Sequence, residues 1–525
     1  MADDLWWRRG IIYQVYPRSF QDTNGDGVGD IPGIRQRLDY LKWLGVDAIW
    51  LSPVYPSPMA DFGYDVSDYR GVDPLFGSLA DLKALIGEAH AAGIRVILDF
   101  VPNHTSDRHP WFIESRSSRL SPKRDWYVWR DASPDGGPPN NWLSLFGGLA
   151  WERDEPTGQF YYHAFLREQP DLNWRNPEVR REMLDVLRFW LDLGVDGFRV
   201  DALSSLIEDD EFRDNPPNPK WRPGMPDRAR RLRLYSADRP EVHEAVADMR
   251  ATLERYPERV LIGEVYLPFE RLALYYGNAA RGADLPFNFH LISADWRAAT
   301  LARLIADYEA ALPPGAWPNW VLGNHDKSRV ANRLGEKRAR LAAMALLTLR
   351  GTPTLYYGDE LGMTDGVIPP DLIQDPLAAR EPGEGRDPER TPMAWDASPK
   401  AGFTTGPPWL PLHADWPSRN VAVMRDDQRS ILTLYRRLIA LRRQRTALHG
   451  GPYRRIASEG DCLSFERGAE GEENVTIALN LGDAPISLAT PANARLLLSS
   501  ALDREDEATL GSIDLRPWEG VVLAT

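Results

Sequence analysis

A chain of 525 residues is too long for one ordinary core, yet a barrel of about 250 to 400 residues with a smaller domain fits it comfortably. Hydrophobic content of 43% and charged content of 26%, with no long biased tract, exclude a disordered or fibrous chain. The net charge of −14 repels phosphate backbones and anionic lipid, which excludes nucleic acid and membrane surfaces as partners and favours neutral ligands.

From the N-terminus, the first segment starts acidic and holds no apolar stretch followed by a cleavage site; Arg8 and Arg9 lead straight into a strand-like run. Strand patterns then recur at 11–16, 48–53, 95–101, 197–201, 260–265, 285–291, 320–323 and 352–357. Between them, apolar residues at three- and four-residue spacing predict helices, for example at 34–44, 79–92, 179–193 and 341–349. Eight such pairs predict a (β/α)8 TIM barrel, α/β in class, with right-handed crossovers that gather the βα loops on one rim. The 341–349 run is about half of the roughly 20 residues a membrane span needs, so it is expected to be a core helix.

Two loops are far longer than the usual two to six residues. The stretch 103–174, rich in Trp, Pro and Gly, is expected to fold as an insertion subdomain after the third strand, and 209–238 as an excursion after the fourth. A third long loop, 363–425, follows the eighth strand. After a helix near 431–441 the pattern changes to short alternating strands, and 452–525 is expected to be a C-terminal antiparallel β-sandwich domain. Residues 1–102 and 175–451 would then make the barrel. The single cysteine, Cys462, cannot form an internal disulfide and predicts a reducing, cytoplasmic setting.

Three acids close three apolar strands: Asp201 in GFRVDA, Glu264 in VLIGEVY and Asp326 in WVLGNHDKSR. Strands of a parallel barrel emerge at the same end, so these carboxylates are expected on one rim, where clustered acids are usually catalytic. Arg199 lies two positions before Asp201, faces the same way along a strand, and is expected to hold Asp201 as the anion.

The motifs QVYPRSF, DFGYDVSDY, VPNH, GFRVDA, IGEVY, GNHDKSR and RTPMAW, in this order from about 11 to 396, resemble those of the alpha-amylase superfamily of glycoside hydrolases, nearest its alpha-glucosidase and oligo-1,6-glucosidase branch. The resemblance implies Asp201 as nucleophile of a covalent glucosyl intermediate, Glu264 as general acid and then base, and Asp326 as the group binding the sugar's 2- and 3-hydroxyls. The chemistry needs such a pair, because a glycosidic oxygen leaves poorly unless protonated and the oxocarbenium-like transition state needs an anion on the other face. It also implies that His104 and His325 hydrogen-bond nearby hydroxyls, that Asp61 and Tyr64 close the far end of a glucose pocket, and that Arg390 binds near Asp326, with Arg386 as rival for that place. A closed end means exo action on a short oligosaccharide, as monomer or dimer.

The loop 22–30 places oxygen-bearing side chains at alternating positions, as the first part of a calcium loop does, but Gly33 stands where an EF-hand has its bidentate Glu. By resemblance it is a structural Ca2+ or Mg2+ site built from Asp22, Asn24, Asp26, Asp30 and the Val28 carbonyl, the alternative being an empty Asx-rich turn. No catalytic cofactor is expected. Ala202, directly after Asp201, resembles members accepting α-1,4 links, where those preferring α-1,6 links carry Val. Hydrolysis of maltose-type substrates is therefore the first expectation. Transglucosylation, an oligo-1,6-glucosidase, a sucrose- or trehalose-active isomerase and, remotely, a non-enzymatic scaffold stay open.

Overall fold

The computed structural model describes residues 5–277, 281–381, 383–469, 471 and 473–525. Eight parallel strands form its central sheet: β1 (Ile12–Val15), β2 (Ala48–Leu51), β3 (Arg95–Phe100), β4 (Gly197–Val200), β5 (Val260–Gly263), β6 (Leu285–Pro286), β7 (Asn319–Val321) and β8 (Thr352–Tyr356). Neighbours follow chain order, β8 pairs with β1, and a parallel bridge from Asn288 to Trp320 joins the β6 side to β7, closing the barrel. Every residue of β1, β2, β4 and β5 is buried, because helices cover one face and the barrel interior the other. That is why these strands read as unbroken apolar runs.

The helices have local causes. Ser78 and Asp81 form a reciprocal capping box at the start of Leu79–Ala91, and Asn176 caps Pro177–Asp192, whose Pro occupies the first turn. Two expected elements differ. The helix expected at 34–44 is two, Ile31–Gln36 and Leu38–Leu44, broken at Arg37, whose guanidinium turns to the Gln21 side chain. The strand expected at 285–291 stops at Pro286, and His290–Ser293 is helical.

The stretch after β3 carries a three-stranded antiparallel sheet of Trp129–Arg130, Trp151–Asp154 and Gln159–Tyr162, with a core around Trp142, Trp151 and Tyr162. Toward the C-terminus a five-stranded and a two-stranded antiparallel sheet enclose Cys462, Leu496, Leu515 and Leu523. Cys462 is thus a small apolar core residue. Buried Arg467 joins this unit to the barrel helices by donating to the carbonyls of Thr348, Leu448 and Gly451. Among the described residues no helix is long and apolar enough to cross a membrane.

Candidate active site

Asp201 and Glu264 each sit one residue beyond a barrel strand, still in the ladder: Asp201 N–H donates to the Phe100 carbonyl at 2.8 Å and Glu264 N–H to that of Val200 at 3.0 Å. The backbone therefore aims both side chains at one rim. Between them lies Arg199, fully buried, with Nη1 at 2.7 Å from Asp201 Oδ1 and Nη2 at 2.8 Å from Glu264 Oε1. The same guanidinium also reaches Asp99 Oδ1 at 2.8 Å. Asp99 is fixed further by the Tyr64 hydroxyl at 3.0 Å and Trp50 Nε1 at 3.1 Å.

One positive charge thus serves three carboxylates. Burial pushes Asp201 well above the usual carboxylate range against the pull of Arg199, and it pushes Asp99 up to about 6. The guanidinium expected at Asp201 is thus shared with Asp99 and Glu264. Glu264 Oε2 also accepts the Ala202 N–H at 2.9 Å, a bond made possible by the left-handed backbone at Ala202, φ 48° and ψ 34°.

Asp326 lies across the cavity, on the loop after β7. Arg390 Nη2 reaches its Oδ1 at 2.8 Å and Arg386 Nη1 at 3.2 Å. Burial acts to raise Asp326, but the positive surroundings outweigh it and hold the carboxyl well below the usual range. The two guanidiniums do this work, since His325 is buried, driven well below its ordinary value, and therefore neutral. His325 Nδ1 faces Gln14 Nε2 at 2.8 Å, which makes Nδ1 the acceptor and leaves the proton on Nε2, 3.5 Å from Asp326 Oδ2. The Tyr64 ring stacks on His325 with centroids 5.2 Å apart and an interplanar angle of 4°.

Asp61 also lines the cavity. Asp65 accepts the backbone N–H groups of Ala60 and Asp61 and so sets the turn that presents Asp61, whose carboxylate pairs with Arg386 Nη2 at 2.7 Å and accepts from Gln169 Nε2 at 3.1 Å. His104, pushed down to about 4 by burial, lies with Nε2 at 3.0 Å from the Tyr64 carbonyl. Asp61, Tyr64, His104, Asp201, Glu264, His325 and Asp326 all face one cavity of about 920 Å³.

Over residues 14–451 the chain matches the family described as alpha amylase, catalytic domain. The chain belongs to the alpha-amylase family. It is an alpha-amylase family glycoside hydrolase, and residues 449–522 match a second family, a domain of unknown function. A probable alpha-glucosidase of Rhizobium meliloti (strain 1021) is 42% identical, with 96% of this chain and 95% of that protein covered. An oligo-1,6-glucosidase of Parageobacillus thermoglucosidasius is 38% identical over 99% and 98%. Among solved structures, an alpha-glucosyl transfer enzyme superposes with a TM-score of 0.94 at 42% identity over 99% of both chains. A trehalulose synthase from Pseudomonas mesoacidophila MX-45 gives 0.89 at 36% identity, again over 99% of both.

For this alpha-amylase family enzyme the expected choice between Arg390 and Arg386 dissolves, because both hold Asp326. Arg386 lines the cavity and bridges Asp326 to Asp61, while Arg390 stands behind, fully buried, its Nε on the His325 carbonyl at 2.7 Å. Asp375 clamps Arg386 through both carboxylate oxygens. Asp375 and Gln169 carry no local signal in the sequence. Asp99 does: a charge inside the apolar run RVILDF has to be buried and paired.

The 22–30 loop closes on itself. Asp22 accepts the N–H groups of Asn24, Gly25 and Gly27, Asn24 Oδ1 that of Asp26, Asp26 that of Val28, and Asp30 those of Thr23 and Gly33. Its donors are all oxygens, as a hard cation requires. Among the described residues, however, no three acidic, His or Cys side chains converge to hold a metal ion.

Proposed function

We propose that this enzyme is an exo-acting, retaining α-glucosidase that removes terminal α-1,4-linked glucose from short oligosaccharides such as maltose, through a covalent glucosyl intermediate on Asp201. The observation that carries the reading is one cavity that holds Asp201 and Glu264, on neighbouring nitrogens of one guanidinium, and is also lined by the Asp61–Arg386–Asp326 chain. A retaining pair needs its carboxyls roughly 5 to 5.5 Å apart, a separation that two carboxyls on neighbouring nitrogens of one guanidinium can reach. In this reading Glu264 gives its proton to the leaving oxygen as Asp201 attacks the anomeric carbon, then removes a proton from the incoming water. Asp326, kept ionised by Arg386 and Arg390, accepts the 2- and 3-hydroxyls and favours the distorted ring.

Transfer is the second reading, favoured by the superposition on an alpha-glucosyl transfer enzyme and a trehalulose synthase over nearly the whole chain. Incubation with maltose, isomaltose, sucrose and trehalose, with the first-released anomer followed by NMR, separates the readings. α-Glucose from maltose is expected. β-Glucose would exclude retention, and trehalose formed from maltose without free glucose would exclude hydrolysis.

Two further proposals accompany this one. Ca2+ or Mg2+ binds the 22–30 loop in a structural role through Asp22, Asn24, Asp26, Asp30 and the Val28 carbonyl, supported by the all-oxygen donor set and requiring the side chains to turn inward. Added Ca2+ should raise the melting temperature of chelator-treated protein; an unchanged melt removes the site. The enzyme works in the cytoplasm, a reading that rests on its single, buried cysteine.

A further inference from the structure

Three rim loops meet over the cavity and are fastened differently. The arm after β4 is fixed at its base to the stretch after β3: Trp142 Nε1 donates to the Arg213 carbonyl at 2.8 Å, Asn140 Nδ2 to that of Phe212 at 3.0 Å and Asn141 Nδ2 to that of Asn215 at 3.1 Å. Its two limbs pair at the Pro217–Arg231 bridge. Beyond it the single turn Asp227–Arg230 reaches the opposite rim, where Arg228 donates to Glu381 and, at 2.5 Å, to Glu384, both on the loop after β8. Glu381 also abuts the stretch after β3, since a Cβ on Gly147 would come within 3.0 Å of its Oε1. Arg228 and Glu384 line the cavity.

We propose that Arg228, Glu381 and Glu384 form an ionic latch that sets substrate length by holding the arm across the cavity, so that saccharides longer than a disaccharide are disfavoured. The inference rests on the exo-glucosidase reading of the cavity and deepens it. The ring of loops is closed by one guanidinium on two carboxylates, whereas the base of the arm is held by several hydrogen bonds, one of them from Asn141 N–H to Asp214, and by the pairing of Asp209 with Arg213 and Arg239. The side chains are 23% exposed for Arg228, 11% for Glu381 and 41% for Glu384. Such a cluster is dry enough to hold its geometry and wet enough for salt to loosen it, which a buried apolar contact would not be.

The test reads the inhibition constants of maltose, maltotriose and maltotetraose against turnover of p-nitrophenyl α-glucoside, a substrate indifferent to the natural linkage. In Arg228→Gln and in the isosteric double variant Glu381→Gln with Glu384→Gln, the maltotetraose-to-maltose ratio should fall by about fivefold or more, the range steric discrimination produces. The wild type in about 1 M NaCl, where charges are screened within about 3 Å, should move the same way. A ratio unchanged in the double variant and in salt overturns the latch, even if Arg228→Gln fails to fold. If the wild type does not turn over the aryl glucoside, the exo-glucosidase reading fails instead, and calorimetric titration of the same saccharides into both proteins still reads the length preference.

Discussion

Arg199 is the residue on which most of the site's electrostatics converges, because it pairs with Asp99, Asp201 and Glu264 together. Removing one partner of a buried ionic cluster leaves charge without compensation, at a cost of about 3 to 5 kcal/mol. Arg199→Met should therefore destabilise the protein by about that much near pH 8 and by clearly less near pH 5. The sign follows from linkage: without the guanidinium the folded-state pKa values of Asp99 and Asp201 rise further, so the penalty exists at high pH and is relieved as pH falls through the raised values. Urea unfolding at both pH values checks it, and an equal loss at the two would mean that packing, not charge, is what Arg199 supplies. Ala202 is the second sensitive position. Its φ of 48° is uncomfortable for a β-branched side chain, and the added methyls would narrow the space beside Asp201. Ala202→Val should lower the melting temperature and raise kcat/KM for isomaltose relative to maltose by a steric discrimination of about 1 to 3 kcal/mol. A preserved ratio would refute the steric argument whatever happens to the melt.

At the scale of elements, legibility followed burial. The strands of the barrel were readable because both faces are covered, and Asp201 and Glu264 were readable because each ends such a strand. The helix broken at Arg37 and the strand cut at Pro286 were not, since tertiary partners decide them: Gln21 draws Arg37 aside, and the chain after Pro286 turns into His290–Ser293. Arg386 lies in a long irregular loop with no periodicity to place it, so its bridge from Asp326 to Asp61 emerges only in three dimensions. The join between barrel and C-terminal sheets was equally hidden, because Arg467 works by ending helices that are distant in sequence. Its guanidinium satisfies carbonyls at the end of Glu336–Thr348 and around Thr446–His449. Arg467→Met would leave these carbonyls buried and unpaired, at about 1 to 3 kcal/mol for each group that water cannot reach. A loss of about 3 kcal/mol or more is expected in chemical denaturation. A loss below about 1 kcal/mol would mean that solvent enters and replaces the side chain.

For the whole molecule, the buried acids impose a pH dependence on stability. Burial pushes Glu208 and Glu389 up to about 8 and Asp359 up to about 7. Glu208 follows β4, whereas Asp359 and Glu389 stand about thirty residues apart after β8, so no single local contact explains them. A carboxyl with a raised folded-state pKa contributes stability that is complete below its unfolded value and is lost as pH rises through the folded one. Between about pH 6.5 and 8.5 the folded chain therefore binds protons that the unfolded chain has released, and stability should rise as pH falls across that window. The buried histidines act elsewhere. His104 and His163 are pushed down to about 4 and His109 to about 3, so their stabilising effect is complete above the ordinary histidine value and is lost only below it. Asp326, held low by Arg386 and Arg390, also stays ionised throughout the window. The melting temperature is thus expected to be higher at about pH 6.5 than at about pH 8.5, and the double variant Glu208→Gln with Glu389→Gln should flatten that difference. A melt that is level or rises toward pH 8.5 in the wild type would show that these carboxyls are ionised in the folded enzyme, with water or a cation compensating them.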